Sequence, residues 1–179
     1  MRIIGIDPGS VICGYGVIEK QQQNFVLIEC GSIKVKKLTN SMPERLKEIF
    51  LTIGKIVERT NPDASVFESV FFSKNVQSTV KLSQARAAAI LAIVMQNIPV
   101  FEYSPREIKK SVTGKGSAGK EQVLFMVNNL LKISLPKENL DTSDALAVAL
   151  CHFLKNPISS KSNKSWADFI KKNPDRIVR

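Results

Sequence analysis

The chain reads as an α/β protein with a mixed central sheet and helices on both faces. Three β-rich stretches stand in meander near its start, helical and strand patterns then alternate, and no internal repeat intervenes. With 179 residues, 44% of them apolar and 23% charged, there is chain for one core and little for a second.

Residues 2–6 are a short apolar run closed by Asp7-Pro8-Gly9, a strand entering a turn. Residues 15–19 and 25–35 are β-rich and flank the polar stretch 20–24. Ser41 opens a helix, because Glu44 three residues on completes a capping box and Pro43 suits the first turn. Its apolar positions Leu46, Ile49, Phe50, Ile53, Ile56 and Val57 share one stripe. Asn61-Pro62-Asp63 breaks the chain, and residues 64–67 form a strand ending at Glu68. The Ala-rich segment 77–95 is a helix suited to close packing, either in the core or as a subunit interface. Residues 100–103 are a further strand, and Ser104-Pro105-Arg106-Glu107 begins the next helix with a second capping box. Residues 114–119 are a flexible basic loop, 121–131 an amphipathic helix, and about 142–154 a final helix. This divides the chain into one domain over 1–155 and a basic, mobile tail over 156–179.

The net charge of +10 is unevenly spread. Residues 73–120 carry 8 basic and 2 acidic side chains, and the last 25 carry 7 and 2. Such surpluses favour a polyanionic partner, because each Lys or Arg laid on a phosphate releases condensed counterion; solubility is the plainer reading. No stretch approaches the ~18 uncharged residues of a membrane helix, and the opening is too soon acidic for a signal peptide. Cys13, Cys30 and Cys151 are too far apart in the sequence to read as a disulfide framework or a zinc site. The expected location is a reducing cytoplasm.

Four carboxylates carry the chemical signal. Asp7 and Glu68 each stand where a strand pattern ends, and Asp141 and Asp144 open a helix three residues apart, on one face. Taken singly, Asp7 reads as a turn former, Asp141 as a helix cap and Asp144 as a dipole partner. Glu68 is harder to dismiss, since a charge between Val66-Phe67 and Val70-Phe71-Phe72 must be paired, edge-exposed or ligating. Brought together, the four would raise one another's pKa and call for a cation, a lysine or a hard metal ion such as Mg²⁺ or Mn²⁺.

These residues are also recognisable. Residues 1–10, Met-Arg-Ile-Ile-Gly-Ile-Asp-Pro-Gly-Ser, with Gly14-Tyr15-Gly16-Val17 resemble the opening of the RuvC-type Holliday junction resolvases. So do Glu68-Ser69-Val70-Phe71-Phe72-Ser73-Lys74-Asn75, Gln84-Ala85-Arg86, Pro99-Val100-Phe101-Glu102-Tyr103, Gly116-Ser117-Ala118 with Lys120, and Asp141 with Asp144-Ala145-Leu146-Ala147. The motifs keep their order and spacing over residues 2–150. The resemblance implies a ribonuclease H-like fold with a mixed five-stranded sheet flanked by helices. It further implies a homodimer that resolves four-way DNA junctions by symmetric metal-dependent nicks in strands of like polarity, working with the RuvA and RuvB branch-migration proteins.

By motif match, Asp7, Glu68, Asp141 and Asp144 would be the catalytic, metal-holding carboxylates. They would hold two Mg²⁺ per subunit, for which Mn²⁺ can substitute, with Asp7 bridging. Two such ions suit in-line phosphodiester hydrolysis, and their +4 balances the four carboxylates. Lys74, Arg86, Lys109, Lys110, Lys115 and Lys120 are candidate DNA contacts from the basic stretch, with Lys109 and Lys120 nearest the scissile strand by the resemblance. Phe71 would stack on an unpaired base at the crossover, worth ~1–3 kcal/mol. A non-catalytic junction-binding module and a general ribonuclease H-like nuclease are the alternatives.

Two other motifs fail on inspection. Residues 114–120 fit G-x-x-x-x-G-K, but Glu121 stands where a phosphate loop needs Ser or Thr, and helix precedes it. His152 beside Cys151 reads as a packed side chain on an apolar helix.

Overall fold

A computed structural model describes residues 1–69 and 75–156. Five strands and six helices are present among them: β1 (Arg2–Asp7), β2 (Cys13–Gln21), β3 (Asn24–Ile33), α1 (Val35–Leu38), α2 (Met42–Thr60), β4 (Ala64–Glu68), α3 (Val76–Val94), β5 (Val100–Tyr103), α4 (Pro105–Thr113), α5 (Lys120–Leu131) and α6 (Leu140–Lys155). The sheet order is β3-β2-β1-β4-β5, with β1–β2 and β2–β3 antiparallel and β1–β4 and β4–β5 parallel. The expected mixed five-stranded sheet is therefore present, and β1 is its central strand.

Alternation along β1 divides the core. Ile4 and Ile6 face α2 and α3 with Phe67, Ala85, Ala89 and Ile93; Ile3 faces α4, α5 and α6 with Val66, Val127 and Leu146. Helix α6 is apolar around most of its circumference, as a helix must be when covered on two sides. It lies between the sheet and α4 with α5. Residues Ala145 to Cys151 are almost wholly buried.

Glycines let α6 settle on the sheet. A Cβ at Gly5 would fall 2.1 Å from the Ala145 carbonyl oxygen, at Gly14 2.1 Å from that of Asp141, and at Gly16 2.4 Å from Leu146 Cδ2. Any side chain there would push the helix off β1 and β2.

Element boundaries differ from expectation in three places. The capping box at Ser41 is not formed: Ser41 makes no side-chain cap bond, and the Thr39 hydroxyl takes the Glu44 carboxylate instead. Residues 25–35 do not continue as one strand, because Val35 turns inward as a fully buried anchor that opens α1. Helix α6 begins at Leu140, so Asp141 lies inside its first turn. The second box is intact, with Glu107 N–H donating to Ser104 Oγ at 3.3 Å and Ser104 N–H to Glu107 Oε2 at 2.9 Å.

Candidate active site

Asp7 and Glu68 are the last residues of adjacent parallel strands. The register pairs Ile6 with Phe67, so these carboxylates are next in line at the carboxyl end of the sheet. Both fall on the face covered by α6, since Gly5, two residues before Asp7, abuts Ala145, and Val66, two before Glu68, packs in the same cluster as α6. In open α/β sheets such strand ends are where sites form.

Asp141 and Asp144 come from the first two turns of α6. Asp7 pairs with Gly14 across the β1–β2 ladder, and Gly14 is the glycine that admits the Asp141 backbone. Asp144, three residues on, lines a cleft of about 250 Å³ together with Asp7, Glu68, Lys109, Lys120 and Ile108. Lys120, the first residue of α5, donates to Asp144 Oδ2 at 3.0 Å.

The electrostatics follow from this crowding. Asp7 is pushed up to about 7, first by burial and then by the charges of Asp144, Glu68 and Asp141, with Lys120 opposing. Burial also raises Glu68, Asp144 adds to it, and Lys109 and Lys120 pull it back down. Lys120 is raised in turn, chiefly by its hydrogen bond to Asp144. Each mutual influence requires nearness, so the four acidic residues and two lysines form one electrostatic unit. Among the described residues no three His, Cys, Asp or Glu side chains stand in an arrangement that could hold a metal ion. Asp7, Glu68 and Asp144 share the cleft without closing into a cage, Asp141 does not line it, and Lys120 already occupies one oxygen of Asp144.

The candidate DNA contacts divide. Lys109 and Lys120 line the cleft. Lys110 and Lys115 are exposed, in the last turn of α4 and the loop after it. Arg86 does not join them: it lies on the α2–α3 face, its Nη2 2.6 Å from Glu102 Oε1 and its guanidinium over the Phe67 ring. The structure gives this arginine partners inside the fold, in place of the free guanidinium that a phosphate contact needs. Phe71 and Lys74 lie outside the described residues. His152 is buried, with Nδ1 3.0 Å from the Tyr103 hydroxyl, as expected of a packed side chain. The loop at 114–119 joins two helices, which fits the rejection of a phosphate loop.

Sequence reasoning missed Gly5, Gly14 and Gly16 as determinants of the site. Their signal was present: two glycines two apart in one strand and one in its neighbour mark a surface where another backbone comes close.

Comparison with known proteins agrees with this geometry. The family model described as crossover junction endodeoxyribonuclease RuvC matches residues 3–152. The chain belongs to the RuvC family. Among relatives bearing that description, the protein of Chloroherpeton thalassium is 41% identical, with 100% of each chain covered. That of Cytophaga hutchinsonii is 41% identical over 98% of this chain and 87% of its own. Among solved structures, Thermus thermophilus RuvC in complex with a Holliday junction substrate superposes with a TM-score of 0.79 at 25% identity, covering 89% of this chain and 98% of that one. The fold is thus the ribonuclease H-like fold of the RuvC resolvases, and the chain is of the endodeoxyribonuclease family that acts in recombination and repair.

Proposed function

We propose that this protein resolves Holliday junctions, with Asp7, Glu68, Asp141 and Asp144 as its catalytic carboxylates and Mg²⁺ as its cofactor. One observation carries the site assignment: Asp7, Glu68 and Asp144 line one cleft although they are up to 137 positions apart in sequence, and the Asp141 backbone abuts Gly14, the ladder partner of Asp7. Family membership supplies the reaction and the substrate class.

The donor set suits hard divalent ions. Asp7, Glu68 and Asp144 line the cleft with Lys109 and Lys120, and Asp141 stands near enough to act on Asp7; together they leave a formal excess of two negative charges, and every anionic donor is oxygen. An anionic DNA strand would be repelled from such a cleft unless cations neutralised it. By the family pattern Asp7, Glu68, Asp141 and Asp144 would hold two metal ions, with Mn²⁺ able to substitute, once drawn closer than they stand in this structure and once Lys120 has released Asp144. When bound, divalent ions activate water and stabilise the pentacoordinate phosphate and the departing 3′ oxygen.

The chain's own groups do the remaining work. Asp7 and Glu68 are fixed by strand ends, so they set the position of the reacting phosphate relative to the sheet. Asp141 and Asp144 sit at the N-terminus of α6, where the helix dipole favours an incoming anion. Lys109 and Lys120 project from α4 and α5 into the same cleft, where they attract the strand and oppose the carboxylates' mutual repulsion. Lys110 and Lys115 extend the positive surface along the exposed side of α4 and its loop, for backbone contact.

A homodimer completes the reading. A four-way junction has approximate two-fold symmetry, and a two-fold protein presents two sites to two strands of like polarity. Leu91 and Val94 on α3, with Met95 just after it, leave apolar surface exposed, which supports this helix as part of the interface. RuvA and RuvB are the proposed protein partners. The test is nicking of a synthetic four-way junction, with linear duplex and RNA–DNA hybrid as controls, in Mg²⁺ and in chelator. Paired nicks confined to the junction and to Mg²⁺ are expected. Equal cutting of the hybrid would make it a general ribonuclease H-like nuclease, and junction binding without cutting a non-catalytic module.

A further inference from the structure

Arg86 is placed where a phosphate contact is least useful and a brace is most useful. It stands on α3 beside Ala85, in a helix face otherwise made of small and apolar residues turned to the sheet. Its side chain is 17% exposed. The guanidinium carbon lies 5.7 Å from the Phe67 ring centroid, and Nη2 lies 2.6 Å from Glu102 Oε1. Nε and Nη2 are shielded from solvent and find no aligned hydrogen-bond acceptor among the described residues. A buried guanidinium with poorly aligned donors is costly as mere packing material, where Leu or Met would serve better.

The register shows what this arrangement holds. Phe67 on β4 is paired with Glu102 on β5, so Arg86 grips both members of one rung. The next rung pairs Glu68 with Tyr103, and beyond it Ser69 N–H donates to the Tyr103 carbonyl at 2.9 Å. Phe67 and Glu68 point to opposite faces of the sheet. Arg86 therefore clamps the rear of the rung immediately before the one that presents Glu68 to the cleft. Strand ends fray because few contacts restrain them, and a cation that stacks on one strand and pairs with the next opposes that fraying.

We propose that Arg86 is a positioning residue for Glu68, acting through Phe67 and Glu102 from the face opposite the cleft. The proposal rests on the reading of Glu68 as a metal-holding carboxylate. It predicts a defect in metal use with little defect in DNA binding, the reverse of what a phosphate-contacting arginine would give.

The experiment compares Arg86→Met, Arg86→Lys and Glu102→Gln with the wild-type protein. Three quantities are read: junction affinity and its salt dependence without metal, the Mg²⁺ concentration for half-maximal cleavage, and the rise in melting temperature on adding Mg²⁺. Arg86→Met is expected to keep junction affinity within about twofold and to raise the half-maximal Mg²⁺ at least fivefold. It should also lower the Mg²⁺-induced melting shift. In a Glu68→Gln background it should change that shift no further. Arg86→Lys, which keeps charge but not the planar stack, should recover only part of the effect. Glu102→Gln moves the same quantities in the same direction, and its half-exposed position keeps it informative should Arg86→Met fail to fold. Weaker junction binding with a salt slope smaller by about 0.9 would make Arg86 a phosphate contact and overturn the proposal. So would an unchanged Mg²⁺ requirement, or an equal effect with Glu68 absent. A wild-type protein showing neither Mg²⁺-dependent cutting nor a melting shift would instead sink the metal reading itself.

Discussion

Asp7→Asn should make the metal-free protein more stable, and increasingly so as the pH rises. Burial and three neighbouring carboxylates hold the Asp7 carboxyl at about 7 against an ordinary value of 3.8. The folded state therefore keeps its proton more tightly than the unfolded chain does. Between about pH 4 and pH 7 the unfolded state binds fewer protons, so stability falls as pH rises through that window and levels off above it. The full difference of about three pH units corresponds to up to ~4 kcal/mol, of which about 2.5 kcal/mol falls between pH 5 and pH 8. Asparagine has nothing to ionise and escapes that loss. For a domain of this size the gap in melting temperature between variant and wild type should widen by roughly 5–10 °C from pH 5 to pH 8. Thermal unfolding of both proteins in chelator at four pH values measures it, and the difference between the curves removes every other titrating group. Mg²⁺ should shrink the gap by stabilising the wild type more than the variant. A gap that stays constant with pH would mean that Asp7 is not crowded by Glu68, Asp141 and Asp144, and the site as described would be wrong.

Other outcomes follow from the same geometry. Gly14→Ala should cost at least ~1–3 kcal/mol in denaturant unfolding and depress junction cleavage, because its Cβ would meet the Asp141 carbonyl at 2.1 Å and displace the start of α6. Lys120→Met removes the cation bonded to Asp144; titration without DNA should show tighter Mg²⁺ binding, while cleavage falls. Because Lys120 is mostly exposed, the change in metal affinity should be no more than about fivefold. Lys110→Ala and Lys115→Ala should each weaken junction binding and reduce its salt slope by about 0.9, in gel shifts over a range of KCl, with single-turnover cleavage of bound junction retained. Ser104→Ala breaks an intact capping box and should lower stability by ~1 kcal/mol, read by thermal unfolding, at saturating substrate without loss of cutting.

What could be read from the sequence, and what could not, divides by range. Local patterns located β1, β4, β5 and helices α2 to α6, because apolar periodicity and turn residues are properties of short windows. They missed where competing local bonds decided the outcome. Thr39 captured Glu44 before Ser41 could, and burial of Val35 ended β3 and opened α1. The four carboxylates were picked out by position at strand ends and a helix start, yet their nearness depends on α6 reaching β1 and β2, which the glycines permit. Lys109 and Lys120 were found through the basic stretch and set apart by the resemblance, and the fold lines the cleft with them and not with Lys110 or Lys115. For Arg86, charge alone does not reveal that its guanidinium lies over Phe67 and beside Glu102 within the fold. Phe71 stands on the resemblance and Lys74 on the basic stretch.

The central claim is that Asp7, Glu68, Asp141 and Asp144 act together to cut DNA that other residues bind. Single-turnover cleavage of a synthetic four-way junction by Asp7→Asn, Glu68→Gln, Asp141→Asn and Asp144→Asn, each with junction affinity measured in chelator, tests it directly. The account predicts cleavage reduced at least a hundredfold in all four, with affinity equal to or tighter than wild type. Near-normal cutting by any one of them would contradict it.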